Sequence, residues 1–509
     1  MKKRTRIGLT ILSAALMAFS MPGMGVSIPV WFSFAIFLTC LDSLKGRKGF
    51  LIGYIFGYFY YSIAFWWLLP AFIREIPKTF NTFSPLMGFF VYIIAGLFVG
   101  LYFGVFGFIF SWFSKKFKKH PFLLVLGTLS LLLFIEYMRS LPPLKFIGFR
   151  FTDALFDMIG ILQLARIGGT ELLLILIGAI NLILFIIWRK KGLTKNAVIF
   201  SALIVFSIYA LDQSITSFLP PSYTEKAQTV KLAGVQTMVT PLDKYYASEN
   251  ELISDFQTLV KDVESTAGNT DLFILPETYF LYDVNRYPNT VDMLEKTAKE
   301  SHMTIVIPHV YENGEGYYNA VQLAYPETGL TDQFYGKIEL NPFTEYLPFE
   351  NLLKAFSFLK FRNYLKKGAS FTTFKINGVN GAFPICFESF FPNVFIDFRK
   401  NDADFFCVIT NDGYFTHKTA LIQHFKQIQI RAVETNSWIC HVSNNGITGL
   451  VDPFGRTVQY SDPFLRNISY MDIPAEKRQG TFYMMIYDYL YLFILVLFII
   501  FVIFAFVIK

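Results

Sequence analysis

The chain has 509 residues, of which 53% are hydrophobic and 16% are charged, and it contains 59 Phe and 28 Tyr. This composition excludes an enzyme that is soluble throughout its length and indicates a membrane protein. The net charge of +7 does not indicate a nucleic-acid partner, because many of the basic residues lie in short clusters between apolar runs.

Eight apolar stretches are candidate membrane spans, since a helix needs about 20 mostly apolar residues to cross a bilayer. They are 6–22, 25–41, 50–72, 86–113, 121–138, 168–188, 197–212 and 487–508. The basic start MKKRTR also suits a signal peptide, but MAFSMPG offers no clean small-x-small cleavage site and further spans follow at once. We therefore expect the first stretch to be retained as a span.

The distribution of Lys and Arg predicts the orientation, because cytoplasmic loops carry the excess of these residues. With the N-terminus inside, the inner loops hold fifteen Lys and Arg, against five in the two outer loops between the third and fourth and the fifth and sixth spans. The long segment after the seventh span is then outside. Glu136 and Arg139 lie three residues apart near a span end, where they either pair with each other or help to hold a lipid headgroup.

The segment 218–482 has short apolar runs, frequent charges and alternating strand-like and helix-like stretches, which predict a separate α/β domain. Its candidate helices lie near 247–267, 288–301 and 417–434. Its candidate strands are 230–237, 271–277, 303–310, 318–325, 381–386, 404–410, 437–443 and 447–452. We thus predict three parts: a membrane domain of seven helices over 1–217, a globular domain over 218–482 and a closing membrane helix over 483–509.

Three residues at strand ends have types that fit together chemically. Glu277 closes DLFILPE, Lys337 ends TDQFYGK and Cys386 closes GAFPIC, and active sites of open α/β sheets gather beyond the carboxyl ends of strands. A free thiol has a pKa of about 8.5, so a cysteine nucleophile needs a base or a nearby positive charge. Glu277 is a candidate base, and Lys337 is a candidate stabiliser of the thiolate and of an oxyanion.

Each of these residues also has an ordinary structural interpretation. Most lone cysteines are inert core residues, a Glu after a strand is more often a turn or cap residue, and a Lys is more often a solvated surface charge. Cys40, Cys407 and Cys440 lie in apolar runs and are expected to be buried; the spacing of the four cysteines indicates neither a disulfide framework nor a zinc site. The chain has six His and no HExxH motif, so we predict no metal.

The combination of motifs resembles the apolipoprotein N-acyltransferases, integral membrane enzymes of bacteria with a nitrilase-like, or carbon–nitrogen hydrolase, domain. LPET is similar to the segment that supplies the family's Glu, YGKIELNPFTEYLPF to its Lys segment, and PICFE to its Cys turn. TNDGYF and SNNGIT are similar to two later turns of the family. The resemblance extends over nearly the whole chain, and it implies a bundle of membrane helices joined to an α-β-β-α sandwich.

The resemblance also implies roles for residues at the matching positions. It makes Glu277 the general base, Lys337 the stabiliser of the oxyanion and Cys386 the nucleophile, with no cofactor and no metal. Glu345 and Glu388 would be supporting residues. The departures concern aromatic residues and bear on acyl-chain or substrate contact: the family commonly has Trp at Tyr245, Tyr at Phe387 and Trp at Tyr414.

The reaction implied is a two-step acyl transfer at the periplasmic side of the bacterial inner membrane. The thiol would take an acyl chain from a phospholipid, phosphatidylethanolamine, as a thioester. The α-amino group of a diacylglyceryl-cysteine at the N-terminus of an apolipoprotein would then accept the chain. The apolar stretch after the Cys, FESFF, is a candidate surface for that chain.

Two alternatives remain open from the residues themselves. A membrane-tethered amidase or nitrilase would use the same Glu, Lys and Cys to hydrolyse a small amide or nitrile, although such an enzyme has no evident use for eight spans. A non-catalytic membrane scaffold would make the combination of the three residues accidental.

Overall fold

The computed structural model describes residues 1–79, 84–142, 145, 148–192, 194–223, 229–266, 269–353, 364–474 and 476–508. The chain divides into two compact units. The membrane unit comprises Met1–Arg74, Ser84–Leu219 and Thr481–Lys509. The sheet unit comprises Glu75–Phe83 and Pro220–Gly480.

The membrane unit is helical, and each of the eight predicted stretches overlaps a helix. Its α-helices are Lys3–Phe19, Ser33–Leu41, Gly46–Ala64, Leu68–Pro70, Pro85–Lys116, Pro121–Ser140, Ile159–Leu162, Ala165–Lys191, Lys195–Phe218 and Phe482–Val507. Short 3₁₀ helices cover Ile28–Trp31 and Phe151–Leu155.

Fewer helices than the predicted eight are long and apolar enough to cross a bilayer. Among the described residues there are five, or six if Gly46–Ala64 and Leu68–Lys78, bent by 74°, form one span. Ile28–Leu41 is a shorter apolar helix, and Lys3–Phe19 has 17 residues. Because a helix rises about 1.5 Å per residue, the latter extends roughly 26 Å, which is less than a typical apolar core of about 30 Å.

Glycines allow the helices Gly46–Ala64 and Pro85–Lys116 to pack closely. A Cβ atom added at Gly53 would lie 2.0 Å from the carbonyl oxygen of Phe103, and one at Gly107 would lie 2.3 Å from that of Gly49. No other residue type fits at these positions without moving the backbone. Such close approach is how membrane helices gain van der Waals contact where the hydrophobic effect does not drive their association.

The predicted ion pair of the membrane unit is confirmed. Arg139 is buried, and its Nη1 donates to Oε1 of Glu136 at 2.6 Å. Nε of Arg150 lies 3.7 Å from the other oxygen of Glu136. The carboxylate therefore compensates two arginines that would be costly to bury alone.

The sheet unit contains two sheets and several helices. Its helices include Pro241–Tyr246, Glu249–Thr266, Pro288–Ser301, Glu350–Leu353, Pro392–Lys400 and Lys418–Thr435. Its strands are β1 Thr229–Gln236, β2 Leu272–Ile274, β3 Thr304–Asn313, β4 Gly316–Tyr325, β5 Gly329–Leu330, β6 Tyr335–Gly336, β7 Phe374–Ile376, β8 Val379–Ala382, β9 Phe405–Thr410, β10 Trp438–Ser443, β11 Gly449–Val451, β12 Thr457–Tyr460 and β13 Asn467–Pro474.

The two sheets have the same arrangement of parallel and antiparallel strands. The first sheet has the order β13-β1-β2-β3-β4-β5, with β6 also paired to β4. The second has the order β12-β11-β10-β9-β8-β7. In each sheet the three central strands are parallel, β1-β2-β3 in the first and β8-β9-β10 in the second, and the outer pairs are antiparallel. Glu277 and Cys386 lie beyond the carboxyl ends of two of these parallel strands, β2 and β8, whereas Lys337 follows β6, which is antiparallel to β4.

The sheets pack against each other, and helices cover their outer faces. A Cβ atom at Gly234 in β1 would lie 2.8 Å from Cγ2 of Val442 in β10, so these strands face each other closely. The helices Glu249–Thr266 and Pro288–Ser301 contribute apolar side chains to the core of the first sheet. On the second sheet, Phe425 of the helix Lys418–Thr435 packs edge-on against His441 of β10. The result is the helix–sheet–sheet–helix arrangement that was expected.

All eight predicted strands overlap observed ones, whereas β5, β6, β7, β12 and β13 were not predicted. The longest omission is β13, which pairs antiparallel with β1 along its whole length. Its sequence, NISYMDIP, places Ser469 among the buried positions, so it lacks a regular alternation of apolar and polar residues. The helix Pro392–Lys400 was also missed.

The prediction that the cysteines form no disulfide was wrong for one pair. Cys407 and Cys440 are disulfide-bonded, and both are fully buried, as expected. They occupy opposing positions on the neighbouring parallel strands β9 and β10. The pairing depends on strand register, which a spacing of 33 residues in the sequence does not reveal.

Candidate active site

Glu277 follows β2 and is held in place from several directions. Its Oε1 accepts a hydrogen bond from Nδ2 of Asn319 at 2.8 Å, and its Oε2 accepts one from the backbone N–H of Asn411 at 2.8 Å. The carboxylate is buried, and the next residue, Thr278, has a left-handed backbone with φ of 48°. Such a conformation is rare for a β-branched residue and is found where the surroundings impose it.

Lys337 lies directly after β6, and its side chain is fully buried between two carboxylates. Its Nζ is 2.9 Å from Oε1 of Glu345 and 3.6 Å from Oε1 of Glu277. Burial alone would lower the pKa of Lys337, but the Glu345 and Glu277 carboxylates outweigh it and raise this pKa above its ordinary value. The group therefore remains an ammonium at neutral pH.

Cys386 begins the 3₁₀ turn Cys386–Phe390 after β8. Its backbone is left-handed, with φ of 52°, which costs a residue with a Cβ atom roughly 1–2 kcal/mol. Burial raises the pKa of the thiol well above its ordinary value, the Glu277 carboxylate adds to this effect, and the Lys337 ammonium opposes it. The resting group is thus a thiol that needs a base in order to react.

Glu345 connects the Lys to the rest of the site. Its Oε1 accepts from Nζ of Lys337 and, at 3.2 Å, from Nδ2 of Asn319. Its Oε2 accepts from the backbone N–H of Asn341 at 2.7 Å. Asn319 therefore contacts both Glu277 and Glu345, so the two carboxylates that flank the ammonium share one amide.

Glu388 is fully buried, and both of its carboxylate oxygens accept hydrogen bonds. Its carboxylate accepts from the hydroxyl of Tyr335 and from the backbone N–H groups of Ile338, Glu339 and Ile385, at 2.7–3.1 Å. Burial raises the pKa of Glu388 to about 7, although these hydrogen bonds oppose the shift. The side chain joins the segment after β6 to the turn that carries the thiol, which fits a supporting role.

The two family-like turns TNDGYF and SNNGIT meet beside Glu277. Asn444 donates from Nδ2 to Oδ1 of Asn411 at 3.0 Å, and its Oδ1 accepts from the hydroxyl of Thr237 at 2.6 Å. Oδ2 of Asp412 accepts from the hydroxyl of Ser443 at 2.8 Å. These contacts fix the backbone N–H of Asn411 that binds Glu277.

The aromatic positions differ in exposure. Tyr245 is 66% exposed and lies edge-on to Tyr246 at the end of the helix Pro241–Tyr246. Phe387 is half-buried and contacts the rings of Phe390 and Phe391. Phe387 therefore packs against other rings of the FESFF stretch.

Two further titratable groups lie close to Glu277. Lys244 is buried, and its Nζ donates to the backbone carbonyl oxygen of Glu277 at 2.9 Å. Burial lowers the pKa of Lys244 to about 8, and the Glu277 carboxylate opposes the shift. Burial, followed by the Glu277 charge, raises the pKa of Tyr414 to about 12.

A buried polar cluster lies next to the backbone of Cys386. Asp412, His424 and His441 offer ligand-type atoms within 4.8 Å of one another. Nδ1 of His424 is 2.7 Å from Oδ1 of Asp412, and its Nε2 is 3.3 Å from the carbonyl oxygen of Cys386. Both nitrogens of this ring and both oxygens of the carboxylate thus already have partners within the protein. We assign the cluster to an internal hydrogen-bond network instead of a metal site.

Comparison with known proteins identifies the family of the chain. Residues 13–183 match the apolipoprotein N-acyltransferase N-terminal domain, and residues 231–482 match the carbon-nitrogen hydrolase family. The apolipoprotein N-acyltransferase of Thermotoga maritima is 32% identical over 491 residues, covering 95% of this chain and 90% of the relative. The chain belongs to the apolipoprotein N-acyltransferase family.

Other similarities are more distant. The apolipoprotein N-acyltransferase of Aquifex aeolicus is 27% identical and covers 83% of this chain and 90% of its own length. The crystal structure of Nit3 from Saccharomyces cerevisiae, described as a member of branch 10 of the nitrilase superfamily, covers 49% of this chain and 92% of Nit3, with 18% identity and a TM-score of 0.39.

Membership of the apolipoprotein N-acyltransferase family makes the chain an acyltransferase and a multi-pass membrane protein with a nitrilase-like α/β domain. Sequence reasoning about such an acyltransferase did not find Lys244, Asn319 or His424. TNDGYF pointed to Asn411 and Asp412 only as part of a turn. Lys244 and Asn319 left no signal, because their partners are 33 and 42 positions away in the chain.

Proposed function

We propose that this acyltransferase moves an acyl chain from a membrane phospholipid, such as phosphatidylethanolamine, to the α-amino group of the diacylglyceryl-cysteine at the N-terminus of an apolipoprotein. The names of its relatives support lipoprotein N-acylation in general. The observation that carries the detailed mechanism is the position of the Lys337 ammonium, 3.6 Å from the Glu277 carboxylate and close enough to Cys386 to affect its pKa.

In the first step the thiol attacks the phospholipid ester. Glu277 accepts the proton from Sγ of Cys386 while Sγ bonds to the ester carbonyl carbon, since the resting thiol is protonated. The tetrahedral intermediate then collapses, its bond to the glycerol oxygen breaks, and the proton on Glu277 passes to that oxygen. The products are a lysophospholipid and a thioester on Cys386.

Lys337 stabilises the charge that develops on the carbonyl oxygen. Its ammonium is buried, it is fixed by Glu345, and it remains protonated at neutral pH because its pKa is raised. A donor that is already oriented in a site shielded from water stabilises an oxyanion without reorganisation, and removing such a donor typically costs about 10²–10³-fold in rate.

In the second step the acceptor amine attacks the thioester. Glu277 accepts a proton from the amine, the bond from carbon to Sγ breaks, and the thiol of Cys386 regains the proton. Both substrates are anchored in lipid, which explains why the catalytic segment 218–482 belongs to a multi-pass membrane protein. A thioester shielded from bulk water also favours aminolysis over hydrolysis.

Two independent features support a position of this segment on the periplasmic side of the inner membrane. The Lys and Arg residues concentrate in the loops that would be cytoplasmic. The segment also contains the disulfide between Cys407 and Cys440, and structural disulfides persist mainly in oxidising compartments.

The function is tested with purified full-length protein, phospholipid labelled in its acyl chain and a diacylated lipopeptide. We expect labelled, N-acylated lipopeptide, and none with Cys386→Ala. Cys40→Ala is the matched control, because Cys40 is a buried thiol of the membrane unit, and we expect it to keep the activity. Free fatty acid without acylated lipopeptide would instead support the amidase-like alternative.

The orientation is tested separately with reporters that are active on one side of the membrane only. A reporter fused after Lys195 should be active on the cytoplasmic side, and one fused after Ser222 on the periplasmic side. The reverse result would overturn the proposed localisation without affecting the chemistry.

A further inference from the structure

His424 contacts the backbone of Cys386, and both of its ring nitrogens face oxygen atoms. Nδ1 is 2.7 Å from Oδ1 of Asp412, and Nε2 is 3.3 Å from the carbonyl oxygen of Cys386. A carbonyl oxygen cannot donate a hydrogen bond, and a neutral imidazole carries only one N–H. If Asp412 is a carboxylate, both contacts are hydrogen bonds only when the ring is an imidazolium.

The state of Asp412 agrees with this requirement. Its Oδ2 accepts from the hydroxyl of Ser443, whose oxygen in turn accepts from the backbone N–H of Gly446 at 2.9 Å. Burial would raise the pKa of Asp412, but the contacts with His424, His441 and Ser443 outweigh it and lower this pKa. Asp412 is therefore a carboxylate, which leaves Nδ1 of His424 as the donor.

The other groups around the ring do not compete with this charge. His441 lies edge-on at 5.2 Å, and its Nδ1 donates to the carbonyl oxygen of Ile447 at 2.7 Å. Burial, followed by the His424 charge, lowers the pKa of His441 to about 4, so this second ring is neutral. Phe390 stacks on His424 and is apolar, and the Glu277 carboxylate favours the cation as Asp412 does.

The carbonyl that His424 contacts belongs to the strained residue of the site. The left-handed backbone of Cys386 persists only if neighbouring groups fix it. On one side of the residue, Glu388 accepts from the N–H of Ile385 at 2.7 Å. On the other side, His424 faces the carbonyl oxygen. The two contacts hold the turn at both ends of its strained residue.

We propose that His424 is a positioning residue that is an imidazolium at neutral pH, and that this imidazolium is held by Asp412 and fixes the carbonyl of Cys386. It thereby maintains the left-handed turn that presents the thiol. The inference deepens the proposed function and rests on it only where Cys386 is taken as the nucleophile.

The proposal predicts a dependence on pH with a defined sign. Burial would lower the pKa of His424, but the Asp412 carboxylate outweighs it and raises this pKa. The bond to the Cys386 carbonyl is therefore present at neutral pH and is lost as the pH rises through the raised pKa. Asp412→Asn should move that loss to lower pH.

The charge is measured directly by NMR of the full-length protein labelled with ¹⁵N in its six histidines, with His424→Gln used to assign the signal. We expect His424 to be an imidazolium at about pH 8, where an unperturbed His with a pKa of about 6.5 is neutral. Asp412→Asn should make His424 neutral at that pH. A neutral His424 in the unsubstituted protein would overturn the proposal.

The positioning effect is measured as the alkylation rate of Cys386 by iodoacetamide, followed by peptide mapping, which needs no assumption about the substrate. His424→Leu should slow alkylation and thioester formation by about 10–100-fold, since small misplacements have effects of that size, while the KM for phospholipid stays unchanged. His424→Gln keeps a donor for the carbonyl and should recover part of the rate.

His302→Asn is the matched control, because His302 is exposed, caps a helix in a left-handed conformation, and Asn tolerates that conformation. It should change neither rate. Equal alkylation of Cys386 in His424→Leu and the unsubstituted protein, at the same melting temperature, would overturn the proposal. A failure of the proposed function would look different: His424 would remain an imidazolium and would still control alkylation, but no acyl chain would be transferred.

Discussion

The two sheets of the sheet unit contribute different kinds of group to the site. The first sheet brings charged side chains: Glu277 after β2 and Lys337 after β6, with Glu345 eight residues further on. The second brings the thiol of Cys386 after β8 and the backbone N–H of Asn411 after β9. In the proposed reaction, residues of the first sheet transfer protons and stabilise charge, and residues of the second sheet hold the nucleophile in its reactive geometry.

This difference predicts two classes of variant. A change on the first sheet should alter the electrostatics, and therefore the pH dependence of acylation. A change behind Cys386 on the second sheet should alter the presentation of the thiol, and therefore its reactivity towards any electrophile.

The largest effect is expected for Lys337→Met, which removes the buried ammonium and leaves two carboxylates facing each other. Thioester formation should fall about 10²–10³-fold, as for the loss of an oxyanion donor. The rate is measured in a single turnover with labelled phospholipid, and Lys367→Met, at an exposed position, is the control. Near-normal acylation by Lys337→Met would show that the second sheet acts alone.

A smaller effect is expected for Glu345→Gln. Without this carboxylate, burial lowers the pKa of Lys337 with less opposition, so the ammonium is lost at lower pH. The rate of thioester formation should decline at a lower alkaline pH than in the unsubstituted protein, with about a tenfold loss near neutrality. A pH profile that keeps its alkaline limit would contradict the assignment of Glu345 as the partner of Lys337.

On the second sheet, the double variant Cys407→Ala/Cys440→Ala should lose stability without losing the chemistry. A cross-link between residues 33 positions apart stabilises a fold by roughly 3–4 kcal/mol in the chain-entropy account. Thermal unfolding in detergent measures the loss, and the acylation rate below the transition should stay within about twofold. A normal melting temperature together with slow acylation would show that the disulfide acts in the reaction and not in stabilising the fold.

Lys244→Met separates charge from packing on the first sheet. The pKa of Lys244 is lowered to about 8, so between that pH and about 10.5 the unfolded chain binds the proton more tightly, and the unsubstituted protein gains stability as the pH rises. The gain amounts to at most about 3 kcal/mol, since one pKa unit is worth about 1.4 kcal/mol. Across this pH range, the melting temperature of the unsubstituted protein should rise relative to that of Lys244→Met. If the melting temperatures of the two proteins change with pH in the same way, Lys244 does not have the lowered pKa.

The smallest effect is expected for Tyr245→Trp, which introduces the aromatic residue common in the family. Tyr245 is exposed and contacts only a neighbouring Tyr among the described ring contacts, so stability should change by about 0.5 kcal/mol or less. A change in the KM for phospholipid or lipopeptide at constant stability would show that this position contacts substrate.

The sequence was informative where a chemical role and a strand end coincide. Glu277, Lys337 and Cys386 could be named because each follows a strand and each belongs to a family-like motif. The central strands were predictable because they are continuous apolar runs, as in FFCVIT of β9, where every residue is buried.

What escaped prediction depends on pairing in three dimensions. The disulfide depends on the register of β9 against β10, and the amide that joins Glu277 to Glu345 comes from Asn319 in the middle of β4. In the sequence Lys244 resembles a surface lysine. In the structure it is buried and donates to the carbonyl oxygen of Glu277, which is 33 residues away. Among the described residues, five or six helices are long and apolar enough to cross a bilayer, because some of the predicted apolar stretches form shorter helices.

The central claim is that the charged groups of the first sheet drive acylation of a thiol on the second. The most direct measurement is mass spectrometry of peptides from the protein incubated with phospholipid alone, before and after addition of a diacylated lipopeptide. We predict one acyl chain on Cys386, sensitive to hydroxylamine, that disappears as N-acylated lipopeptide forms. An acyl chain on another residue, or one on Cys386 that the lipopeptide does not remove, would contradict the mechanism.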